Sequence, residues 1–269
     1  VRQCRRDGVN LHAFILFIIA ISASVLGALT GIGGGVIVKP VVDAAELLPS
    51  ATANFLCGCM VLSMSIVSMI RNRKASKPPM KFVTPLAFGA AAGGVSGNLL
   101  FGLVKKAVGN DKLVVLVQAC VLLVLLAGAL LYSIFKKRIK GLHVKNIPVV
   151  LLSGILLGLF SAFLGIGGGP INLVLLYILF SLGLKEAAFG SLFVIAVSQT
   201  ASLILTIAMG IPSFNAYDLV AMILGGVGGG LIGSAVLKRI SVNKAEMVYI
   251  VMIVAIIGIC IFNIVRSAL

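Results

Sequence analysis

Of 269 residues, 60% are hydrophobic and only 11% are charged, with a mean hydropathy of +1.20, whereas a soluble domain carries about 25% charged residues. So little polar surface excludes a water-soluble globule. The net charge of +15 would suit a nucleic-acid binder in a soluble protein, but the Lys and Arg here sit in short stretches between long apolar blocks, where the positive-inside rule and anionic headgroups place them.

The chain therefore reads as a polytopic helical membrane protein whose partner is the lipid bilayer, with no nucleic acid. Residues 1–10 are a basic lead-in with Arg2, Arg5 and Arg6. Block 11–29 is long enough to cross about 30 Å of hydrocarbon. No small-residue cleavage site follows it, so it reads as a retained first helix and not a secretory signal. It runs into Gly31-Ile32-Gly33-Gly34-Gly35. Segment 36–48, with Pro40 inside, is too short to cross alone, about 20 Å as a helix. Pro49-Ser50 turns the chain into segment 51–70, and a basic loop, 71–81, follows. Segment 82–104 carries Gly89, Gly93, Gly94 and Gly97 on one face, the small-residue pattern that lets helices approach closely in lipid. Segment 113–135 is a plain Leu/Val helix, and the basic loop 136–145 divides the halves.

The second half repeats the order. Segment 147–164 leads into Gly165-Ile166-Gly167-Gly168-Gly169, letter for letter the first break. A short segment, 170–182, is followed by 186–209, by the Gly-rich 217–237, where Gly230 and Gly233 echo Gly94 and Gly97, and by 245–265. The fold class is all-α, polytopic, with a first repeat over 1–140 and a second over 141–269, five helices each. An odd number per repeat forces the second copy into the membrane upside down. Inverted repeats with short, Gly- or Pro-interrupted segments in matching places point to a secondary transporter. With the N-terminus outside, the inner loops hold twice as many Lys and Arg as the outer ones, so the charge bias puts both termini outside.

The glycine breaks are the candidate site. A dinucleotide or P-loop reading fails, because no strand precedes either copy and neither is followed by Lys-Ser/Thr. One alternative is tight helix packing alone. The other is an anion site: glycine backbone turns sharply and approaches a ligand closely, and a helix N-terminus follows each break, with unpaired amides and a positive dipole end. On that reading Thr30, Gly31, Gly33, Gly34, Gly35, Gly165, Gly167, Gly168, Gly169, Asn172 and Gln199 contact substrate, with Asn54, Ser198 and Thr200 lining the same cavity. Lys39 and Asp43 are candidates for attracting the anion or coupling to protons, against a plain self-neutralised pair. Asp218 reads as a helix cap and Glu246 as a dipole partner. His12 and His143 are isolated, Cys57-Gly58-Cys59 has no metal-binding spacing, and no catalytic constellation stands out. We therefore expect no metal, no cofactor and no enzyme; a homo-oligomer is compatible with the sequence.

The pattern from Gly31 to Pro40, its second copy from Gly165 to Pro170, and the stretch Lys185-Glu186-Ala187-Ala188-Phe189-Gly190-Ser191-Leu192 resemble the TauE/SafE sulfite exporter family over essentially the whole chain. The resemblance implies an inverted-repeat helical fold in the plasma membrane, a bacterial inner membrane. It also implies export of a small sulfur-containing anion, sulfite or an organosulfonate, with the substrate varying within the family. Where it implies a more apolar first short segment, this chain has Lys39, Asp43 and Glu46 along one helix face. In the second copy Pro170 follows the glycines directly and Val174 matches Pro40. The competing readings are a transporter of another small anion or solute and a non-transporting accessory subunit, which has no need of duplicated breaks.

Overall fold

A computed structural model describes residues 2–73, 78–136, 142, 144 and 146–268, without the side chains of 2–10, 267 and 268. His143 and parts of the two basic loops, 71–81 and 136–145, lie outside the described residues, as do the side chains of Arg2, Arg5 and Arg6. The described residues form ten helices and no strand: α1 (Arg2–Thr30), α2 (Gly35–Ala44), α3 (Ser50–Asn72), α4 (Met80–Val108), α5 (Asp111–Phe135), α6 (Ile147–Leu164), α7 (Pro170–Phe180), α8 (Leu184–Met209), α9 (Ala216–Arg239) and α10 (Val242–Ala268). Eight are long and apolar enough to cross a membrane. The exceptions, α2 and α7, have 10 and 11 residues, about half the thickness of the hydrocarbon layer.

Local chemistry sets the ends. Gly109 and Gly165 stop α4 and α6 in the left-handed conformation that glycine adopts without a Cβ penalty. The short helix α2 stops at Ala44, earlier than its apolar letters suggest, because residues 45–47 wind back onto its last carbonyls and Glu46 turns to φ 50°. Glu46 therefore leaves the face shared by Lys39 and Asp43 and pairs with Arg266 at 3.0 Å. Asn215, not Asp218, caps α9, accepting from the Tyr217 amide at 3.0 Å. Asp218 is buried one turn in and meets His12 at 3.1 Å, while the other ring nitrogen of His12 lies 3.2 Å from the Leu47 carbonyl. His12 is thus a tie between three segments, not an isolated residue.

The glycine faces make the tightest packing. Along α4, Gly89, Gly93 and Gly97 press on the backbone of α6 at Leu151, Ile155 and Leu159. Along α9, Gly225, Gly229 and Gly233 press on α1 at Ala20, Ser24 and Val25. Without a hydrophobic drive between helices in lipid, such close approach is what holds them together. The main packings between the first five helices and the last five come in matching pairs. The α1–α9 pair matches α6–α4, α3–α9 matches α8–α4, and α2–α10 matches α7–α5.

Two sets of polar contacts mark the ends of the bundle. At one end Thr52 donates to the Ser213 carbonyl at 2.9 Å, Ser50 to Asp111 at 3.3 Å, and Arg266 meets Glu46. His12 and Leu47 lie at this end too, through Asp218. At the other end Lys238 donates to the Arg71 carbonyl at 2.6 Å, Lys136 pairs with Glu246, and the Leu142 amide donates to the Ile178 carbonyl at 2.8 Å. The α1–α2 hairpin therefore opens to the first end and α7 returns to the second.

Candidate functional site

Five glycines of the two breaks have backbone that L side chains rarely adopt: φ is +78° at Gly31, +94° at Gly33, +66° at Gly165, +70° at Gly167 and +121° at Gly168. A side chain at any of them is strained before packing is considered. Gly34 and Gly35 are ordinary in φ, and space explains them. A Cβ on Gly34 would lie 3.0 Å from Ser24 Cα, and one on Gly35 would run into the Ile166 carbonyl.

That last contact carries the geometry, because Ile166 belongs to the other break. A Cβ on Gly33 would stand 3.8 Å from the Gly167 carbonyl oxygen, and one on Gly169 would stand 3.5 Å from Val36 Cγ2. The two breaks are packed on each other. They meet between Val61, halfway along α3, and Ile195, halfway along α8, whose side chains touch Gly33, Gly35, Gly167 and Gly168. The N-termini of α2 and α7 thus converge deep in the bundle, bringing together amides without intrahelical partners and two positive dipole ends. Pro170 opens α7 and contributes no N–H, so the second half of the pair is the poorer donor.

Beside this junction lies a cavity of about 190 Å³, lined by Asn54, Asn98, Gly165, Gln199, Ser202 and Thr206 among others, and reaching Met209, Gly210 and Pro212 toward the first end. Its polar groups differ in freedom. Asn98 donates to the Ser202 carbonyl at 3.0 Å and to the Thr206 hydroxyl at 2.7 Å. Both amide atoms of Asn54 are buried without a hydrogen-bond partner, and the amide lies against Gly165. Gln199 places Nε2 3.0 Å from the Cβ position of Gly167. Asn172 is 3% exposed, its Nδ2 3.1 Å from the Cβ position of Gly168.

Gly31, Gly33, Gly34, Gly35, Gly165, Gly167, Gly168, Gly169, Asn172 and Gln199 thus gather at or next to the junction. Thr30 is adjacent but turns its hydroxyl onto its own helix, donating to the Leu26 carbonyl at 2.8 Å. Ser198 and Thr200 do the same toward Ile195 and Ala196. Lys39 and Asp43 form a bidentate pair at 2.6 and 2.7 Å, with side chains 3% and 6% exposed. It faces α5 and α10, near Gln118, Cys260 and Asn263. Sequence reasoning missed Val61 and Ile195, the apolar walls of the junction, and Ser24 beneath Gly34. Val61 and Ile195 hold equivalent places after the two breaks, the one signal that marks them. The halves also differ visibly: Gly31 packs on the Ala188 methyl, whereas the equivalent Gly165 packs on the Asn54 amide.

No curated protein and no solved structure matches the chain significantly. A family profile does, described as "Sulfite exporter TauE/SafE" and covering residues 16–259 of 269. Apolar spans in that number, the doubled glycine break and a profile match over nearly the full length agree: the chain is a multi-pass membrane protein of the sulfite exporter TauE/SafE family.

Proposed function

We propose that this protein exports a small sulfur-containing anion, sulfite or an organosulfonate, across the bacterial inner (plasma) membrane by alternating access around the paired glycine breaks. The observation that carries the reading is the junction itself. Two helix N-termini converge beside a polar cavity in which the Asn54 amide has no protein partner. Backbone N–H groups and side-chain amides bind an oxyanion without a counter-charge that must be stripped of water. The repeats, 1–140 and 141–269, are read as inverted, which the opposite ends reached by α2 and α7 support.

Alternation here divides the helices differently from the sequence halves. Tight glycine contacts bind α9 to α1, and α3 packs on α9, while α4 binds α6 and packs on α8. The moving units are therefore α1, α3 and α9 against α4, α6 and α8. Their seam is the α3–α8 contact, where Val61 and Ile195 flank the breaks. The cavity open toward the first end represents one side of the cycle, and the charge bias of the loops assigns that end to the outside.

The test is flux in proteoliposomes loaded with radiolabelled sulfite, sulfate or isethionate. An anion moving down its gradient unchanged, saturably and without single-channel current supports a carrier. Absence of flux for all three favours the accessory-subunit reading and refutes this one.

A further inference from the structure

Resting on the transport reading, we infer that Lys39 and Asp43 are a proton-coupling site, charged from the same end of the bundle toward which the anion cavity opens. The pair sits where an ion pair is hard to justify structurally: both side chains are almost fully buried within a membrane bundle, and two apolar residues of similar size pack at least as well. Ionisable groups at such depth mark pathways and relays.

The pair has two neighbours that make a path. Outward lies a second cavity of about 330 Å³, separate from the anion cavity, with Asp43 at its inner wall and Glu46, Ser50, Asp111, Lys112 and Arg266 around it. Asp43 is part of the wall of that vestibule, with its side chain 6% exposed. Inward lies a void of about 10 Å³ bounded by Lys39, Asp43, Gln118, Leu164 and Asn263, at the lower limit for one water molecule. Gln118 has a buried Oε1 without a partner, while its Nε2 donates at 2.7 Å to the Phe163 carbonyl. Phe163 lies in the last turn of α6, two residues before Gly165. The chain vestibule, ion pair, void, Gln118 thus ends at the second glycine break. On the other side of the pair, Asn263 of α10 donates to the Pro40 carbonyl at 3.0 Å and ties α2 to α10; Lys39 and Asp43 lie on the same short helix whose N-terminus faces the junction.

The other charged and titratable groups around Asp43 are Glu46 after α2, Cys57 on α3, Asp111 and Lys112 on α5, and Cys260 and Arg266 on α10; from α1, His12 is engaged by Asp218 and the Leu47 carbonyl. Glu46 is engaged by Arg266 and Asp111 by Lys105, which leaves Asp43 as the acid that faces both the vestibule and the interior. A hydronium ion in the vestibule transfers a proton to an Asp43 carboxylate oxygen, one O–H bond breaking as the other forms and water being left behind, and Lys39 keeps its protons. The ammonium then stands without a counter-charge on the helix whose N-terminus faces the anion. A bound anion offsets it, so proton and anion favour each other's binding reciprocally and travel together.

The test uses the full chain in proteoliposomes with a pH-sensitive dye inside and isethionate, which is fully ionised at every pH used, as the anion. Expected for the wild type is proton movement in the direction of the isethionate gradient, and isethionate flux at least tenfold faster when a pH gradient points the same way. The double variant Lys39→Met/Asp43→Leu, which leaves no lone buried charge, is expected to lose both the proton movement and the acceleration by a pH gradient, the isethionate flux that remains being independent of pH. Wild-type anion flux without proton movement, flux that follows a sodium gradient instead, or proton movement surviving the double variant each overturns the inference. A wild type that moves no anion at any pH refutes the transport reading, and this inference falls with it.

Discussion

Replacing Asn54 by Ala should raise the stability of the ligand-free protein and weaken its grip on the anion. Both amide atoms of Asn54 are buried with no partner, and an unsatisfied buried polar group costs about 1–3 kcal/mol. The truncation opens onto an existing cavity of about 190 Å³, so little new void is created and the cavity penalty is small. Backbone fit is not in question, because Ala188 makes the equivalent contact with Gly31 through its methyl. In the complex, the same amide would donate to a charged oxygen, a bond of about 1.5–3 kcal/mol, or roughly 10- to 150-fold in Kd. The two quantities should therefore move in opposite directions. Thermal unfolding of the purified protein without anion reads the first, and titration with sulfite reads the second. A destabilised variant with unchanged affinity would show that Asn54 holds the fold and not the substrate, and would refute the argument.

Gly168→Ala should stop transport while the protein stays in the membrane, because φ is +121° and the new Cβ would sit 2.7 Å from Ile195 Cδ1; Gly109→Ala, at φ +64° with nothing within 4 Å, should lose stability only, about 1 kcal/mol. Lys39→Met alone leaves a buried carboxylate unpaired and should cost about 3–5 kcal/mol, most of which returns in Lys39→Met/Asp43→Leu, as read by thermal unfolding. Gly233→Val drives a side chain into the Val25 carbonyl and should abolish the monodisperse peak on size exclusion in detergent, whereas Gly102→Val, which meets nothing within 4 Å, should keep it.

The sequence already contained what periodicity and repetition encode. Helix number and the two segments too short to cross follow from block length alone, and the glycine face of α4 was readable because small residues recur at helical spacing. Contacts between distant segments were not legible. Nothing in Gly35 or Ile166 singly announces that one break packs on the other, because the partner is half the chain away. The polar residues divide for a similar reason. A hydroxyl within hydrogen-bond reach of its own helix, as at Thr30 and Thr200, satisfies itself there, so its presence near a break says little about where it points. The Asn54 amide bonds neither its own turn nor a neighbouring helix and is left at the cavity wall. The cap of α9 shows a finer ambiguity. Asn215 and Asp218 both suit a helix start, and only the neighbouring His12 decides that the carboxylate goes into the bundle.

The exchange of partners between the halves bears on how the protein is made. The most intimate contact of α1 is with α9, a helix that leaves the ribosome some two hundred residues later. Until then Ala20, Ser24 and Val25 lack the α9 face that covers them in the folded chain, whereas Gly27 packs on its own break. A chain cut after α5 would carry a small-residue face on α1 with no mate, and a polar loop at depth with nothing to cover it. Neither half is therefore a self-sufficient unit of biosynthesis. A chain whose α1 closes on α9 has to be translated nearly whole before its tightest helix pair can form.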